Sequence, residues 1–251
     1  MGNKIVLCSY EPEWNEIYKK EAKVIRAVLG NKVRVYHVGS TAVKGMCAQP
    51  AIDILLVVKS FAEFDKSAVC AIEYSEMGAG DSDVLMFNKN EEFPFSLIVI
   101  ERTNADKIQK ILTVRDFLRA DSKEAEAYSS EKKRIAELVN GDEPYDFRDY
   151  SHQKSEYLDA LAKRAQEWCE RENRRSTRMA LGMCWGMSAG MLLGVAVDNI
   201  PLWMSLGISI GMCLGLSLGG EAKNEIHFQI FLAAGRNRDY QRRRSFDGLV
   251  F

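Results

Sequence analysis

Two patterns of apolar residues alternate along the first 172 residues of the chain. Short β-branched runs bounded by turn residues predict strands, and apolar positions three and four residues apart predict helices. The predicted strands are residues 32–38, 51–58, 83–89 and 95–102. The predicted helices are residues 10–29, 60–73, 104–120, 121–139 and 151–172. This order predicts an α+β fold, in which a mixed sheet is flanked by helices and followed by a helical arm.

Polar residues mark the starts of several predicted helices. Ser60 is followed three residues later by Glu63, which is the spacing of a capping box. Asp121 stands in the same relation to Glu124, and Ser151 precedes the last predicted helix. These residues predict where the helices begin.

The C-terminal part of the chain has a different pattern, because residues 179–220 contain one charged residue, Asp198. Two uncharged runs, 179–197 and 200–220, lie on either side of it. At about 1.5 Å per residue, each run can cross a hydrocarbon layer of roughly 30 Å. The short connection, with Pro201 at the start of the second run, predicts a transmembrane helical hairpin.

Glycines recur at every fourth position in both apolar runs. They are Gly182, Gly186, Gly190 and Gly194, then Gly207, Gly211, Gly215 and Gly219. This spacing puts each set on one helical face, where two backbones can approach closely. It predicts a glycine zipper and is compatible with homo-oligomerisation. The alternative interpretation is a glycine-rich packed or flexible segment of a soluble protein.

Basic residues flank the predicted hairpin at 171–178 and 236–244, whereas its connection has none. The positive-inside rule then places the soluble domain and both termini on the cytoplasmic side of the cytoplasmic membrane. The tail after the hairpin either lies along the inner membrane surface or is solvated. We expect four segments: a domain at 1–172, a basic linker at 173–178, the hairpin at 179–220 and a basic cytoplasmic tail at 221–251.

Composition restricts the possible partners. The 34 Lys and Arg residues balance 35 Asp and Glu residues, so the overall charge gives no reason to expect a nucleic-acid partner. The six cysteines form no CxxC pair and no cluster with histidine, which argues against structural zinc.

One turn carries candidate chemistry, within the stretch HVGSTAVKGMCAQPAIDILLVV at residues 37–58. Gly39 and Ser40 follow a predicted strand, where backbone N–H groups and a hydroxyl can hold phosphate oxygens. Asp53, on the next strand, can bind Mg²⁺ that bridges those phosphates. The same spacing also fits an ordinary turn between two strands.

The stretch at residues 37–58 resembles the signature of the GrpB family. YEPEW near the N-terminus, VRDFLRADSKEAEAYSSEKKRIAE and YSHQKSEYLDALAKRAQEW are similar to further motifs of that family, in the same order. The resemblance covers roughly residues 8–170 and implies a nucleotidyltransferase-like fold in a bacterial protein. It leaves the reaction poorly defined.

The resemblance also implies a set of site residues. Asp53 is implied as the Mg²⁺ ligand and catalytic residue, together with Ser40. The implied phosphate-binding or nucleotide-binding residues are Gly39, Ser40, Thr41, Arg115, Arg119, Lys132 and Lys154. Arg115 and Arg119 are four residues apart and therefore share one helical face. His37 is interpreted as a structural residue of the turn.

Three departures from the family pattern weaken the case for a catalyst. Gln49 stands where relatives usually carry lysine, and residues 93–103 lack the usual histidine pair. Ala51 stands two residues before Asp53, so the Asp-x-Asp pair typical of nucleotidyltransferases is absent. Asp81, Asp83 and Glu101 remain candidates for a second carboxylate.

Three hypotheses follow from the sequence. The first is a membrane-tethered domain that binds a nucleotide or phosphorylated metabolite and carries out Mg²⁺-dependent nucleotidyl transfer. The second is a degenerate module that senses such a ligand without chemistry. The third is an interaction module that oligomerises through its glycine-zipper hairpin.

Overall fold

The computed structural model describes residues 5–30, 32–77, 83–91, 93–140 and 147–217, with side chains from residue 156 onward in the last range. These residues fall into two compact units, one up to Ala162 and one from Lys163, which we describe separately. The predicted tail at 221–251 and Gly219 lie outside the described residues.

The secondary structure follows the predicted alternation. The strands are β1 (Arg34–Val38), β2 (Ile52–Val58), β3 (Ser75–Glu76), β4 (Leu85–Lys89) and β5 (Phe95–Glu101). The helices are α1 (Glu13–Leu29), α2 (Lys66–Cys70), α3 (Ala105–Ala120), α4 (Ser122–Asn140), α5 (Phe147–Ala196) and α6 (Ile200–Ser217). Two 3₁₀ turns span Ser40–Ala42 and Phe61–Glu63.

The first unit is built on a mixed sheet with strand order β1-β2-β5-β4-β3. β2 and β5 run parallel, and the other neighbouring pairs are antiparallel. In this register Asp53 lies opposite Val38 on one side and Ser96 on the other. The sheet therefore places Asp53 beside the turn that follows β1.

Helices cover both faces of the central strands. On one face, Ile54 and Leu97 pack with Trp14 and Ile25 of α1. On the other face, a core that includes Leu55, Val57 and Ile98 packs against residues of α3. This burial on both faces explains the nearly uninterrupted apolar sequence of β2 and β5.

Two predicted helix starts differ from the structure. The predicted helix at 60–73 is divided, because a 3₁₀ turn capped by Ser60 ends at Glu63 and Asp65 then caps α2 by accepting from Ala68 N at 3.1 Å. Ser151 is not an N-cap, since α5 begins at Phe147 and contains it. Asp121 does cap α4, accepting from the backbone N of residue 123 at 3.0 Å. The two-residue strand β3 was too short to be recognised from the pattern.

The second unit contains the two apolar helical segments. Residues Glu156–Ala196 of α5 and the whole of α6 are long and apolar enough to cross a membrane, and only 11% of the apolar stretch of each is buried. A core helix of a soluble protein would be mostly buried. The exposed apolar side chains, among them Trp185, Leu192 and Leu202, form a surface suited to lipid.

The glycine faces of α5 and α6 pack against each other within one chain. A Cβ added to Gly186 would lie 2.0 Å from the carbonyl oxygen of Gly207, and one added to Gly211 would lie 2.1 Å from that of Gly182. Backbones this close leave no room for a side chain. The predicted glycine zipper is therefore formed between the two arms of the hairpin, and homo-oligomerisation remains a prediction.

This packing gives a direct steric test. Gly186→Val should lower the thermal midpoint of helix unfolding for the full chain in detergent micelles, because the branched side chain forces α5 and α6 apart. Ala180→Val is the matched control, since Ala180 is exposed on α5 and does not line the cleft between α5 and α6. Circular dichroism measures both, and equal midpoints for the two variants would contradict the described packing.

Candidate functional site

The turn after β1 brings its backbone into contact with Asp53. Gly39 has φ of 71°, a left-handed conformation that favours glycine. A Cβ at Gly39 would lie 2.1 Å from Asp53 Oδ2, so the carboxylate occupies the space that a side chain would need. Both conditions select glycine at this position. The structure thus brings together two of the predicted site residues.

Ser40 and Thr41 form part of the 3₁₀ turn but differ in access. Ser40 is half-buried and lies directly after Gly39. Thr41 is 2% exposed, and its Oγ1 lies 3.1 Å from His37 Nε2. Ser40 is therefore the hydroxyl with access to a ligand, whereas the Thr41 hydroxyl supports the turn from inside.

Three predicted phosphate-binding cations donate to backbone carbonyls at the end of β1 and in the loop that follows it. Arg115 Nη1 donates to His37 O (3.1 Å), Arg119 Nε to Ala42 O (2.9 Å) and Lys132 Nζ to Cys47 O (3.0 Å). We call these three cations the carbonyl clamp. They reach these carbonyls from α3 and α4, and each provides a charged donor to a backbone oxygen.

The two arginines of the carbonyl clamp share one carboxylate. Asp116 lies 2.8 Å from Arg115 and 3.8 Å from Arg119. The side chain of Arg115 is 11% exposed, whereas that of Arg119 is 43% exposed. Partial burial and the neighbouring Arg115 lower the pKa of Arg119, which nevertheless stays charged at neutral pH. Arg119 is therefore the clamp arginine more accessible to a ligand.

The imidazole of His37 lies on the face of the sheet opposite to Asp53. His37 pairs with Ile54, which faces α1, and its ring stacks on Tyr18 at a centroid distance of 4.6 Å. Burial, together with the charges of Arg119 and Arg115, lowers the pKa of His37 to about 3. The imidazole is therefore neutral at physiological pH. Its contact with Thr41 supports the turn, in agreement with the interpretation of His37 as a structural residue.

A polar row crosses the sheet beside the candidate site. Asp53 of β2 pairs with Ser96 of β5, and Ser96 pairs with Asn88 of β4. All three belong to the α3 face, and neighbouring strands are about 4.8 Å apart. Among the described residues, the buried Oδ1 of Asn88 has no hydrogen-bond partner. Ser96 and Asn88 could not be recognised from the sequence, because only the strand register relates them to Asp53.

Two candidates for the second carboxylate are far from Asp53. Glu101 pairs with Val58, five residues along β2 from Asp53, which is about 17 Å at strand spacing. Asp83 precedes β4 at the same distant end, since Leu85 pairs with Val99. Asp81 and the side chain of Lys154 lie outside the described residues. Within the described ranges, no group of three His, Cys, Asp or Glu residues is arranged to hold a metal ion.

Comparison with known proteins identifies the family of the first unit. Residues 4–164 match the family described as GrpB protein. The chain belongs to the GrpB family. A GrpB-family relative, the UPF0157 protein BH1888 of Halalkalibacterium halodurans, is 34% identical over 174 residues, covering 67% of this chain and 83% of that protein. The predicted family is confirmed.

Solved structures extend the comparison to the fold. The crystal structure of conserved protein GrpB from Enterococcus faecalis has 26% identity and a TM-score of 0.57, covering 65% of this chain and 99% of that one. Cid1 poly(U) polymerase bound to MgATP is similar at 10% identity and a TM-score of 0.39, covering 55% of this chain and 46% of that one. The GrpB structure confirms the predicted α+β architecture, in which a mixed sheet is flanked by helices; the nucleotidyltransferase likeness stays a prediction.

The C-terminal unit has its own match. Residues 172–220 match the family described as glycine zipper membrane protein. This match, the two exposed apolar helices and their glycine packing together support membrane association of this GrpB-family chain.

The contact between Gly39 and Asp53 predicts a large cost for one added methyl group. Gly39→Ala should lower the free energy of unfolding by at least about 2 kcal/mol more than Gly45→Ala. Gly45 is a matched control, because it also has positive φ, at 82°, but a Cβ there would meet nothing within 4 Å. Denaturant unfolding of both variants measures the difference, and equal costs would refute the Asp53 contact.

The depressed pKa of His37 predicts a pH dependence of stability. The folded pKa is about 3 against 6.5 for an ordinary histidine, so the unfolded chain binds more protons between these values. His37 should therefore contribute full stability above pH 6.5 and lose about 1.4 kcal/mol per pH unit as the pH falls toward 3. His37→Gln should reduce the slope of the unfolding free energy across that range by this amount.

Thr41→Val provides the control for the pH experiment. It removes the hydroxyl that contacts His37 but leaves the titrating imidazole, so stability should change while the slope persists. An unchanged slope in His37→Gln would show that other groups cause it.

Proposed function

We propose that this GrpB-family protein is a membrane-anchored domain that binds a nucleotide or another phosphorylated metabolite at the turn around Gly39 and Ser40. The observation that carries the proposal is the contact of the Gly39 backbone with the Asp53 carboxylate, next to a loop held by the carbonyl clamp. Exposed backbone N–H groups at such a turn, with cations nearby, suit phosphate oxygens.

The carbonyl clamp retains capacity for a ligand. Each guanidinium has five N–H donors, and the interactions of Arg119 described here use few of them. The half-buried Ser40 adds a hydroxyl at the same turn. In this arrangement the cations hold the loop in shape and also attract the phosphate groups of a bound ligand. Lys154 is proposed as a further phosphate contact.

Mg²⁺ fits this site only together with a ligand. Asp53 supplies one carboxylate, and Mg²⁺ sites commonly combine one or two carboxylates with substrate phosphates and water. Bound there, the ion would neutralise phosphate charge and polarise phosphoryl oxygens. A two-metal arrangement needs more carboxylates than the described residues place near Asp53. Asp53 is thus proposed as a metal ligand that works with phosphate oxygens.

The geometry favours binding over nucleotidyl transfer. Asp83 and Glu101 lie at the far end of the sheet, and Ala51 takes the place of the first carboxylate of the Asp-x-Asp pair. Catalysis, with Asp53 and Ser40 in the reacting site, therefore remains the second candidate. The glycines pack against each other inside the hairpin. This packing favours a role as a membrane anchor over a role as a glycine-mediated contact between copies.

The membrane orientation is part of the proposal. The arginines at 171–178 precede the apolar part of α5, and the connection around Asp198 carries no basic residue. This asymmetry supports a ligand-binding domain on the cytoplasmic side, where phosphorylated metabolites are found.

Calorimetric titration of the full chain in detergent with ATP tests the binding site. Arg119→Gln should weaken ATP binding at least about tenfold, since a charge-assisted contact is lost. Asp53→Asn should abolish the gain in affinity that Mg²⁺ gives while retaining metal-free binding. Lys20→Gln, on the exposed surface of α1, is the matched charge control. Absence of binding at millimolar ATP would end the proposal.

Two gain-of-function variants separate binding from chemistry. Gln49→Lys restores the cation that relatives usually carry, and it should tighten ATP binding because residue 49 is exposed next to the loop. Ala51→Asp adds a carboxylate on the same face of β2 as Asp53 and should increase the dependence of binding on Mg²⁺. An unchanged Mg²⁺ dependence in Ala51→Asp would count against a metal role for this strand end.

A further inference from the structure

A cleft lies at the opposite end of the sheet from Asp53. It has a volume of about 520 Å³ and forms where β2 ends at Val58 and the chain continues to Lys59 and Ser60. Val58 is five residues along β2 from Asp53, or about 17 Å. A cleft of this size falls within the range of small-molecule sites. It is separate from the site proposed above.

Four cations line this cleft, which we call the basic cleft. They are Lys32, Arg34, Lys59 and Arg102. All four are exposed, and they come from three separate parts of the chain that meet at this end of the sheet. Like charges that converge in a concave surface attract an anion, because the cleft focuses their field.

The carboxylates of the basic cleft are already engaged. Glu63 forms an ion pair with Lys59 at 2.7 Å. Asp65 accepts hydrogen bonds from Ser67 Oγ at 2.5 Å and from Ala68 N at 3.1 Å, as the cap of α2. Glu63 thus offsets the charge of Lys59, whereas Asp65 keeps its negative charge, so the cleft is lined by four cationic and two anionic side chains.

Three cations of the basic cleft have side-chain donors that no described residue uses. Within the described residues, Lys32, Arg34 and Arg102 make no ion pair and no side-chain hydrogen bond. By contrast, Arg115, Arg119 and Lys132 all contact backbone carbonyls. The basic cleft thus combines three unused cations in one concavity.

The other wall of the cleft is apolar. Leu29 and Val33 are partly buried, and Phe64 is buried. All three pack with the core on the α1 face of the sheet. The cleft also lies beyond the carboxyl ends of β2 and β5, the parallel pair of the sheet. Crevices outside the carboxyl ends of parallel strands are common ligand sites.

We propose that the basic cleft binds a phosphorylated small molecule, with the phosphate on Arg34, Arg102 and Lys32 and an apolar or aromatic part against Leu29, Val33 and Phe64. The cation cluster favours a group with at least two negative charges, and the apolar wall favours an apolar or aromatic part bonded to that group. The proposal does not depend on ligand binding at Gly39.

Phenyl phosphate is a suitable probe, because it joins a phosphate to an aromatic ring. Calorimetry of the full chain in detergent should detect binding that is at least about tenfold weaker in the double variant Arg34→Gln with Arg102→Gln. Lys20→Gln with Lys23→Gln removes the same charge from the exposed surface of α1 and should leave the affinity within about twofold. Equal weakening in both double variants would overturn the proposal, because only general electrostatics would then be at work.

Two further measurements identify which part of the molecule holds the probe. Arg119→Gln should leave in place the phenyl phosphate binding that depends on Arg34 and Arg102; if it alone abolishes all binding, the phosphate sits at the Gly39 turn and the proposal fails. Inorganic phosphate should bind at least about fivefold more weakly than phenyl phosphate if the apolar wall contributes. Equal affinities would overturn the assignment of the apolar wall.

Discussion

The first unit depends on one close approach, that of the Gly39 backbone to the Asp53 carboxylate. The antiparallel pairing of β1 and β2 sets Val38 opposite Asp53, so the turn that follows must pass directly over the carboxylate. Only a residue without a Cβ can do this. The path of the whole loop up to β2 follows from that constraint, and the carbonyl clamp holds the loop in that path.

Near the proposed site, the carbonyl clamp fixes the positions of its arginines and still leaves them donors for a ligand. Cations near a ligand site need donors free for the ligand, but flexible charged side chains lose rotamer entropy when they bind. Anchoring one donor of each cation to a backbone carbonyl fixes the side chain beforehand. A ligand that meets such residues encounters preorganised donors, which lowers the entropic cost of binding.

Much of the fold could be predicted from local patterns, because strands, helices and caps depend on neighbouring residues. Asp121 is an example, because its role as a cap depends only on the residues that directly follow it. The pairing of Arg119 with Ala42, 77 residues away, could not be predicted in this way. The same holds for Ser96 and Asn88, whose relation to Asp53 depends on strand order, and for α2, where Asp65 competes with Ser60 as a helix start.

The packing of glycine against glycine inside the hairpin has a consequence for how the protein is held at the membrane. Because the described glycines of the two helices pack against each other within one chain, the hairpin can form without a second copy. Its assembly is then a first-order process, independent of how many copies the membrane contains. A protein expressed at a few copies per cell would be anchored as firmly as an abundant one.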